Sequence, residues 1–272
     1  SLYFSPINIK EAMWLIVNFF IYLTGWRKRN TYHRDNFELN WPVKKIAGAV
    51  ATPSARSGLY ILLKALNISR NDEVIITGYT CSAVPEPIQF LGAKPVYVDI
   101  EMTTFGMDPS LLKDAITPQT KAIIIQHTYG IPASLDEIIK IAKSKNIFII
   151  EDCALALGSK YKGKWLGQSG DASVFSFELS KTLTAGWGGL VQINNDQVLT
   201  KNIISIRNKA GSLPQFTASR RLLQAGLSAI LYRPEILKFS GYIIAILFKT
   251  GLFKKSETKS NEKKIPNEYL AA

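Results

Sequence analysis

Cysteine is scarce in this chain of 272 residues, and no apolar run in it is long enough for a membrane-spanning helix. The two cysteines, Cys81 and Cys153, lie in apolar surroundings. Because a disulfide framework needs several paired cysteines, we predict reduced thiols in a cytoplasmic protein. The apolar stretch 12–26 is shorter than the about 20 residues that cross a bilayer. A convincing secretory signal is also missing.

Acidic residues are outnumbered, with 21 Asp and Glu against 33 Lys and Arg, so the net charge is +12. Such an excess suits nucleic acid, an anionic membrane surface or anionic substrates. No nucleic-acid-binding motif is present, which leaves anionic substrates or lipid as the expected partners. For stretch 12–26 we predict a helix packed on the domain or on a partner subunit. The alternative is an interfacial helix that contacts the inner face of the membrane.

Apolar runs that predict strands alternate with runs that predict helices across the middle of the chain. This succession indicates an α/β fold with a mostly parallel central sheet flanked by helices. We divide the chain into an N-terminal arm (1–47), a large domain (48–200) and a partial small domain with a polar tail (201–272). Segment 222–252 is strongly apolar, and we expect a helical pair packed on the protein or an element at a membrane surface. Two local caps are also predicted, by Asp108 and by a Ser134–Glu137 capping box.

Polar side chains follow two of the predicted buried strands. Asp152 comes after the apolar run 148–150, while Ser176 and Lys181 come after the run 172–175. Because the carboxyl ends of parallel strands line the ligand crevice, we expect these three side chains to converge. A carboxylate, a hydroxyl and an amine suit pyridoxal phosphate (PLP), in which an Asp partners the ring nitrogen and a Lys binds the cofactor covalently.

Four motifs occur in a specific order: Glu-Asp-x-Ala at 151–154, Gly-Asp at 170–171, Ser-Phe-x-x-x-Lys at 176–181 and a Gly-rich turn at 186–189. Over roughly residues 48–194 the chain resembles the DegT/DnrJ/EryC1/StrS-type sugar aminotransferases. The resemblance implies a PLP-transferase fold of type I and a homodimer. It also implies transfer of an amino group, from glutamate, onto a nucleotide-linked keto-sugar for polysaccharide or glycan biosynthesis.

The resemblance assigns further residues to the cofactor. Ala55 and Arg56 stand where the family binds the PLP phosphate at a helix N-terminus, and the alternative there is an ordinary Ser cap beside a solvated Arg. Cys81 stands where the family usually has an aromatic residue on the ring, so either Cys81 covers the ring or Tyr79 stacks on it.

Three positions bear on the substrate. His127 lies in a His-x-Tyr-Gly pattern that the family shares. It could contact the cofactor or the substrate. The alternative is a structural histidine that is hydrogen-bonded to the backbone. Leu155 and Trp187 depart from the Gln or His and from the Glu that are common there in the family. Trp187 therefore suggests an apolar or stacking contact, with simple packing as the alternative. No metal site is expected.

Two other functions stay open. A PLP-dependent sugar dehydratase would favour His in place of Lys181, so the lysine argues against it. A PLP- or sugar-binding homologue without turnover is supported because the family's Gly-Tyr-Asn-x-Arg stretch is not found after residue 194. The chain begins at Ser1 and family members are longer, so we expect a partial chain.

Overall fold

The computed structural model of the protein describes residues 9–23, 32–43, 46–210, 215–233 and 235–253. Its helices are α1 (Ile9–Leu23), α2 (Tyr32–Leu39), α3 (Ala55–Ala65), α4 (Pro85–Phe90), α5 (Pro109–Ala115), α6 (Leu135–Ser144), α7 (Gln197–Lys209), α8 (Gln215–Leu231) and α9 (Leu237–Lys249). Its strands are β1 (Gly48–Thr52), β2 (Glu73–Thr77), β3 (Lys94–Val98), β4 (Thr120–Gln126), β5 (Phe148–Asp152), β6 (Lys160–Tyr161), β7 (Lys164–Trp165), β8 (Ala172–Ser176) and β9 (Gly189–Ile193).

Seven strands form one sheet in the order β1-β9-β8-β5-β4-β2-β3. Strands β8, β5, β4, β2 and β3 pair in parallel, whereas β9 runs antiparallel to both β8 and β1. Strands β6 and β7 form a separate hairpin. The predicted mostly parallel α/β sheet is therefore confirmed. The divisions at residues 47 and 200 stay predictions.

The sheet separates two apolar cores because successive strand residues point to opposite faces. In β2, Val74 and Ile76 join the core under α3, α4 and α7, while Ile75 joins the core under α5 and α6. All five residues of β2, β8 and β9 are buried. Burial on both faces explains why these strands lack the regular alternation of apolar and exposed polar residues that a strand with one solvent-facing side has.

Helices α1 and α9 both pack on helix α8. Helix α1 lies along it at a contact of small residues, where Ala12 meets Ala225 and Ala229. A Cβ added to Gly226 would lie 2.9 Å from the carbonyl oxygen of Ala12, so only glycine allows this approach. Residues 12–23 thus form the packed helix that we predicted, while 24–26 lie outside the described residues. Segment 222–252 forms a helical pair, and none of the described helices is both long and apolar enough to cross a membrane.

One of the two predicted helix caps is formed. The Asp108 carboxylate accepts a hydrogen bond from the Ser110 amide at 2.8 Å, as expected for an N-cap. The predicted capping box at Ser134 is wrong, because the Ser134 hydroxyl donates instead to Oε1 of Glu101 at 2.6 Å. The Ser134 side chain is oriented by this bond to a carboxylate from a distant segment, and it makes no hydrogen bond with an amide in the first turn of α6.

Candidate active site

A cavity of about 300 Å³ opens at the carboxyl edge of β5 and β8. Seven of the nine residues assigned to cofactor or substrate line it: Ala55, Arg56, Cys81, Asp152, Ser176, Lys181 and Trp187. They come from α3, from the ends of β5 and β8, and from two loops, one after β2 and one between β8 and β9. The fold therefore brings together groups that are more than a hundred residues apart in sequence.

Gly189 lets the N-terminus of α3 reach the sheet edge. A Cβ on Gly189 would lie 2.3 Å from the Ala55 amide nitrogen and 2.4 Å from the Ser54 carbonyl carbon, closer than side-chain carbons ever come. Ser176 lies directly opposite Gly189 in the antiparallel ladder. The first turn of the helix and the Ser176 hydroxyl therefore meet at one corner of the cavity.

The N-terminus of α3 is fixed by a serine capping box. Oγ of Ser54 accepts the Ser57 amide at 3.2 Å, and the Ser54 amide donates to Oγ of Ser57 at 3.0 Å. The helix dipole places partial positive charge at this end, and Arg56 adds a cation to the cavity wall. Ser54 is thus the expected cap, and Arg56 still lines the cavity. The corner has the composition of an anion-binding site.

Asp152 is the last residue of β5 and is partly buried. Its Oδ1 accepts the Ala154 amide at 3.0 Å. Burial raises the pKa of Asp152 above its ordinary value of 3.8, although the Ala154 hydrogen bond and the charge of Lys181 act in the opposite direction. Because burial destabilises the ionised form of Asp152, a cationic partner would stabilise this carboxylate strongly.

Lys181 lies in the turn that follows β8. The turn is closed by the Lys181 amide, which donates to the Glu178 carbonyl at 3.0 Å, and by the Glu178 carboxylate, which accepts the Ser180 amide at 3.0 Å. The Lys181 side chain lines the cavity together with Asp152. An amine and a buried carboxylate therefore face the same space, as the sequence predicts.

His127 and Glu151 form a buried pair on the opposite face of β5 from Asp152. Nδ1 of His127 accepts the Ala133 amide at 3.2 Å, so the ring proton is on Nε2 and is donated to Glu151 at 3.0 Å. Oxygens of Glu151 also accept three amides of the loop before β8, from Gly167 (2.9 Å), Ser169 (2.7 Å) and Gly170 (2.7 Å). Both ring nitrogens of His127 are thus engaged within the protein, which favours its structural alternative.

These hydrogen bonds outweigh the effect of burial on Glu151. Burial by itself raises a carboxyl pKa, but the His127 contact and the backbone amides lower the pKa of Glu151 below 4.5. Cys153 lies near the pair, and donor atoms of the three residues fall within 4.8 Å of one another. Because hydrogen bonds already use both ring nitrogens and both carboxylate oxygens, and burial raises the pKa of the Cys153 thiol, the cluster does not have the character of a metal site.

A second cavity of about 300 Å³ adjoins the first and shares Cys81, Asp152 and Lys181 with it. Its mouth carries Tyr79 and Tyr129, whose hydroxyl oxygens are 2.6 Å apart. Tyr129 has a φ of +56°, a strained value for a bulky side chain. Tyr79 thus lines the second cavity and Cys81 lines both.

Trp187 lines the first cavity from the Gly-rich turn. The guanidinium carbon of Arg221, on α8, lies 4.5 Å from the centre of the indole ring. The indole Nε1 is buried and has no hydrogen-bond partner among the described residues. A buried donor without an acceptor is costly, and the position of this one in a cavity wall makes it available to a bound ligand.

Sequence reasoning missed the roles of Glu151 and Tyr129. A charged residue at the end of the apolar run 148–150 is a signal for a buried polar contact, but its partners come from two distant loops. Tyr129 belongs to the His-x-Tyr-Gly pattern, and its meeting with Tyr79, 50 residues away, follows only from the fold.

The sheet is mostly parallel, with β9 antiparallel beside β8. A lysine, a carboxylate and a helix N-terminus line a cavity at the carboxyl edge of this sheet. Together these features define the large domain of a fold type I transferase. Residues 42–226 match the model of the DegT/DnrJ/EryC1/StrS aminotransferase family. The chain therefore belongs to that family.

Curated relatives are similar over part of their length. GDP-perosamine synthase of Escherichia coli O157:H7 is 45% identical over 151 residues, which are 56% of this chain and 41% of that protein. UDP-N-acetyl-3-dehydro-alpha-D-glucosamine 3-aminotransferase of Acidithiobacillus ferrooxidans is 39% identical over 164 residues, which are 60% of this chain and 44% of that protein. The chain thus spans less than half of these two relatives.

Among solved structures, the PLP form of the sugar aminotransferase Spr1654 of Streptococcus pneumoniae superposes with a TM-score of 0.67 at 26% identity. The superposition covers 90% of this chain and 70% of that one.

Proposed function

We propose that the protein is a PLP-dependent aminotransferase that moves an amino group, from glutamate, onto a nucleotide-linked keto-sugar. The observation that carries the proposal is the convergence of Lys181, Asp152 and the N-terminus of α3 on one cavity. Family membership and the names of the two curated relatives support the reaction and the substrate class.

The cavity fits PLP by the chemistry of its donor groups. An anion-binding corner, made by the first turn of α3 and Ser176, suits the phosphate. Asp152, whose pKa is raised by burial, suits a protonated ring nitrogen. Lys181 supplies the amine, and the unpaired indole N–H of Trp187 offers one more donor. When bound, PLP supplies an electron sink for the carbon that loses its proton.

The residues then have separate roles. Nζ of Lys181 would hold the cofactor and, once released from it, would act as the base and acid that moves the proton of the reacting carbon. The Asp152 carboxylate would keep the ring nitrogen protonated. Ser176, Ala55 and Arg56 would orient the phosphate, and Cys81 would cover one side of the ring.

The second cavity suits the acceptor substrate because it shares Lys181 and Asp152 with the first. The reacting atoms would then lie at the junction of the two cavities. Tyr79 and Tyr129 stand at the entrance to the second cavity and offer hydroxyl groups to a sugar or its nucleotide. A homodimer and a cytoplasmic location in polysaccharide biosynthesis are part of the same proposal, and light scattering tests the dimer.

The test is the visible absorption of the purified protein with PLP, recorded before and after addition of glutamate. We expect an absorption band of the lysine-bound cofactor that glutamate removes. Lys181→Ala should abolish both the band and turnover, while the control Lys164→Ala, at an exposed hairpin position, should keep both. A folded protein without the band would refute PLP binding.

Two further outcomes select the alternatives. A stable band that ignores every amino donor would favour a binding protein without turnover. A product that has lost a hydroxyl group and gained no nitrogen would favour a dehydratase.

A further inference from the structure

Helix α9 exposes an apolar face that the rest of the described protein leaves uncovered. Phe239 is 82% exposed, Tyr242 79%, Ile243 48% and Ile246 44%. Positions i, i+3, i+4 and i+7 share one side of a helix, so these four side chains form one continuous stripe. We call this stripe the α9 face. Large apolar side chains clustered in this way mark an interaction surface rather than scattered surface residues.

Helix α1 shows the same property. Met13 is 59% exposed, Trp14 57% and Val17 54%, although the opposite side of the helix packs on α8. Helix α9 also packs on α8. The two helices with exposed apolar faces are therefore held by one common helix. Trp and Tyr among their exposed residues are the side chains that favour a membrane–water boundary.

The positive charge of the chain lies mostly in the sequence outside residues 46–214. Residues 46–214 contain 16 Lys and Arg against 14 Asp and Glu, which is a net charge of +2. Residues 1–45 and 215–272 therefore carry +10 of the +12. Residues 46–214 are close to neutral, whereas α8 and α9 each carry two basic residues and no acidic residue. An anionic substrate bound in the body does not explain this distribution.

Basic residues also stand at the ends of the α9 face itself. Lys238 and Lys249 are both exposed, one at each end of the helix, and Glu235 is the one acidic residue between 215 and 253. Lysine side chains extend their charged ends toward lipid phosphates while their stems lie on the apolar surface. A second copy of the chain would bring like charges together at this face, whereas an anionic surface complements them.

We propose that helices α1 and α9 form a docking surface for an anionic lipid bilayer. The α9 face lies among the headgroups and upper acyl chains, and Lys238 and Lys249 contact the phosphates. The helices lie on the membrane and do not cross it. The catalytic cavity is then held near the membrane surface.

Flotation of the full chain with lipid vesicles tests the proposal. We expect binding to vesicles of phosphatidylcholine mixed with phosphatidylglycerol, weak binding to phosphatidylcholine alone, and weaker binding at high salt. Phe239→Glu with Ile243→Glu should reduce partitioning at least about tenfold. Lys238→Gln with Lys249→Gln should reduce it about 25-fold, or about fivefold per lysine.

A matched control adds the same two negative charges elsewhere. Met102→Glu with Val198→Glu replaces residues that are 78% and 69% exposed on the catalytic body, and it should bind like the wild type. Circular dichroism should be unchanged in all variants, because every substituted side chain is on the surface.

Two results would overturn the proposal. One is equal partitioning of the wild type and the Phe239→Glu, Ile243→Glu variant. The other is a wild type that ignores vesicles and forms a dimer that this variant dissociates, which would assign the α9 face to a second copy. Neither result depends on transaminase activity, so the proposed function stands or fails separately.

Discussion

Glu151→Gln tests the buried network behind the candidate active site. Oε1 of Glu151 accepts the amides of Ser169 and Gly170, and Oε2 accepts His127 and the Gly167 amide. The amide nitrogen of a glutamine at either position would face two hydrogen-bond donors. His127 cannot relieve the conflict by moving its proton, because its Nδ1 already accepts the Ala133 amide.

The size of the effect follows from these contacts. Hydrogen bonds to a charged group contribute about 1.5–3 kcal/mol each, and two of them are lost. We therefore expect Glu151→Gln to lower the free energy of unfolding by about 3–6 kcal/mol, a large part of the about 5–15 kcal/mol typical of a domain. Urea unfolding of the cofactor-free protein measures it. The control Glu137→Gln, at an exposed position, should change stability by less than about 0.5 kcal/mol.

The pH dependence gives a second readout. The pKa of Glu151 is lowered on folding, so its contribution is fully present above the ordinary value of 4.5 and is lost as the pH falls through the folded pKa. Wild-type stability should therefore decline below pH 4.5, and Glu151→Gln should show a shallower decline. If Glu151→Gln unfolds within about 1 kcal/mol of the wild type at neutral pH, the assigned network is incorrect.

Three other substitutions address the cavity. Asp152→Asn should raise the thermal midpoint of the cofactor-free protein at neutral pH, because burial raises the pKa of Asp152 and makes its ionised form costly. The gain in midpoint should shrink as the pH falls toward 3.8, and equal midpoints at neutral pH would contradict this reasoning. Gly189→Ala should cost about 1–3 kcal/mol and weaken PLP binding measured by titration, since its Cβ would lie 2.3 Å from the Ala55 nitrogen. Trp187→Phe should raise KM or weaken PLP binding measured by titration, and equal values for the variant and the wild type would show that the indole N–H has no ligand partner.

The sequence was sufficient for the fold class and for the prediction that three polar side chains meet at one edge of the sheet, where they line one cavity. Long apolar strands between amphipathic helices indicate a parallel sheet, because only a strand buried on both faces has that pattern. Asp152, Ser176 and Lys181 were identified because each follows such a strand, and the ends of parallel strands meet at one edge. The motif order then led to the family, which the match over residues 42–226 confirms.

The tertiary structure decided what depends on contacts between distant segments. No local pattern shows that β9 enters the sheet antiparallel beside β8, yet this pairing sets Gly189 opposite Ser176 and admits the N-terminus of α3. Ser134 and Glu137 have the spacing of a capping box, yet the Ser134 hydroxyl donates to the carboxylate of Glu101, which only the tertiary fold brings into reach. Glu151 and Asp152 are adjacent in sequence, but successive side chains of a strand point to opposite faces of the sheet. Glu151 therefore contacts His127, whereas Asp152 lines the cavity. Periodicity and motif are local properties, whereas hydrogen-bond partners and burial depend on which elements the fold brings together.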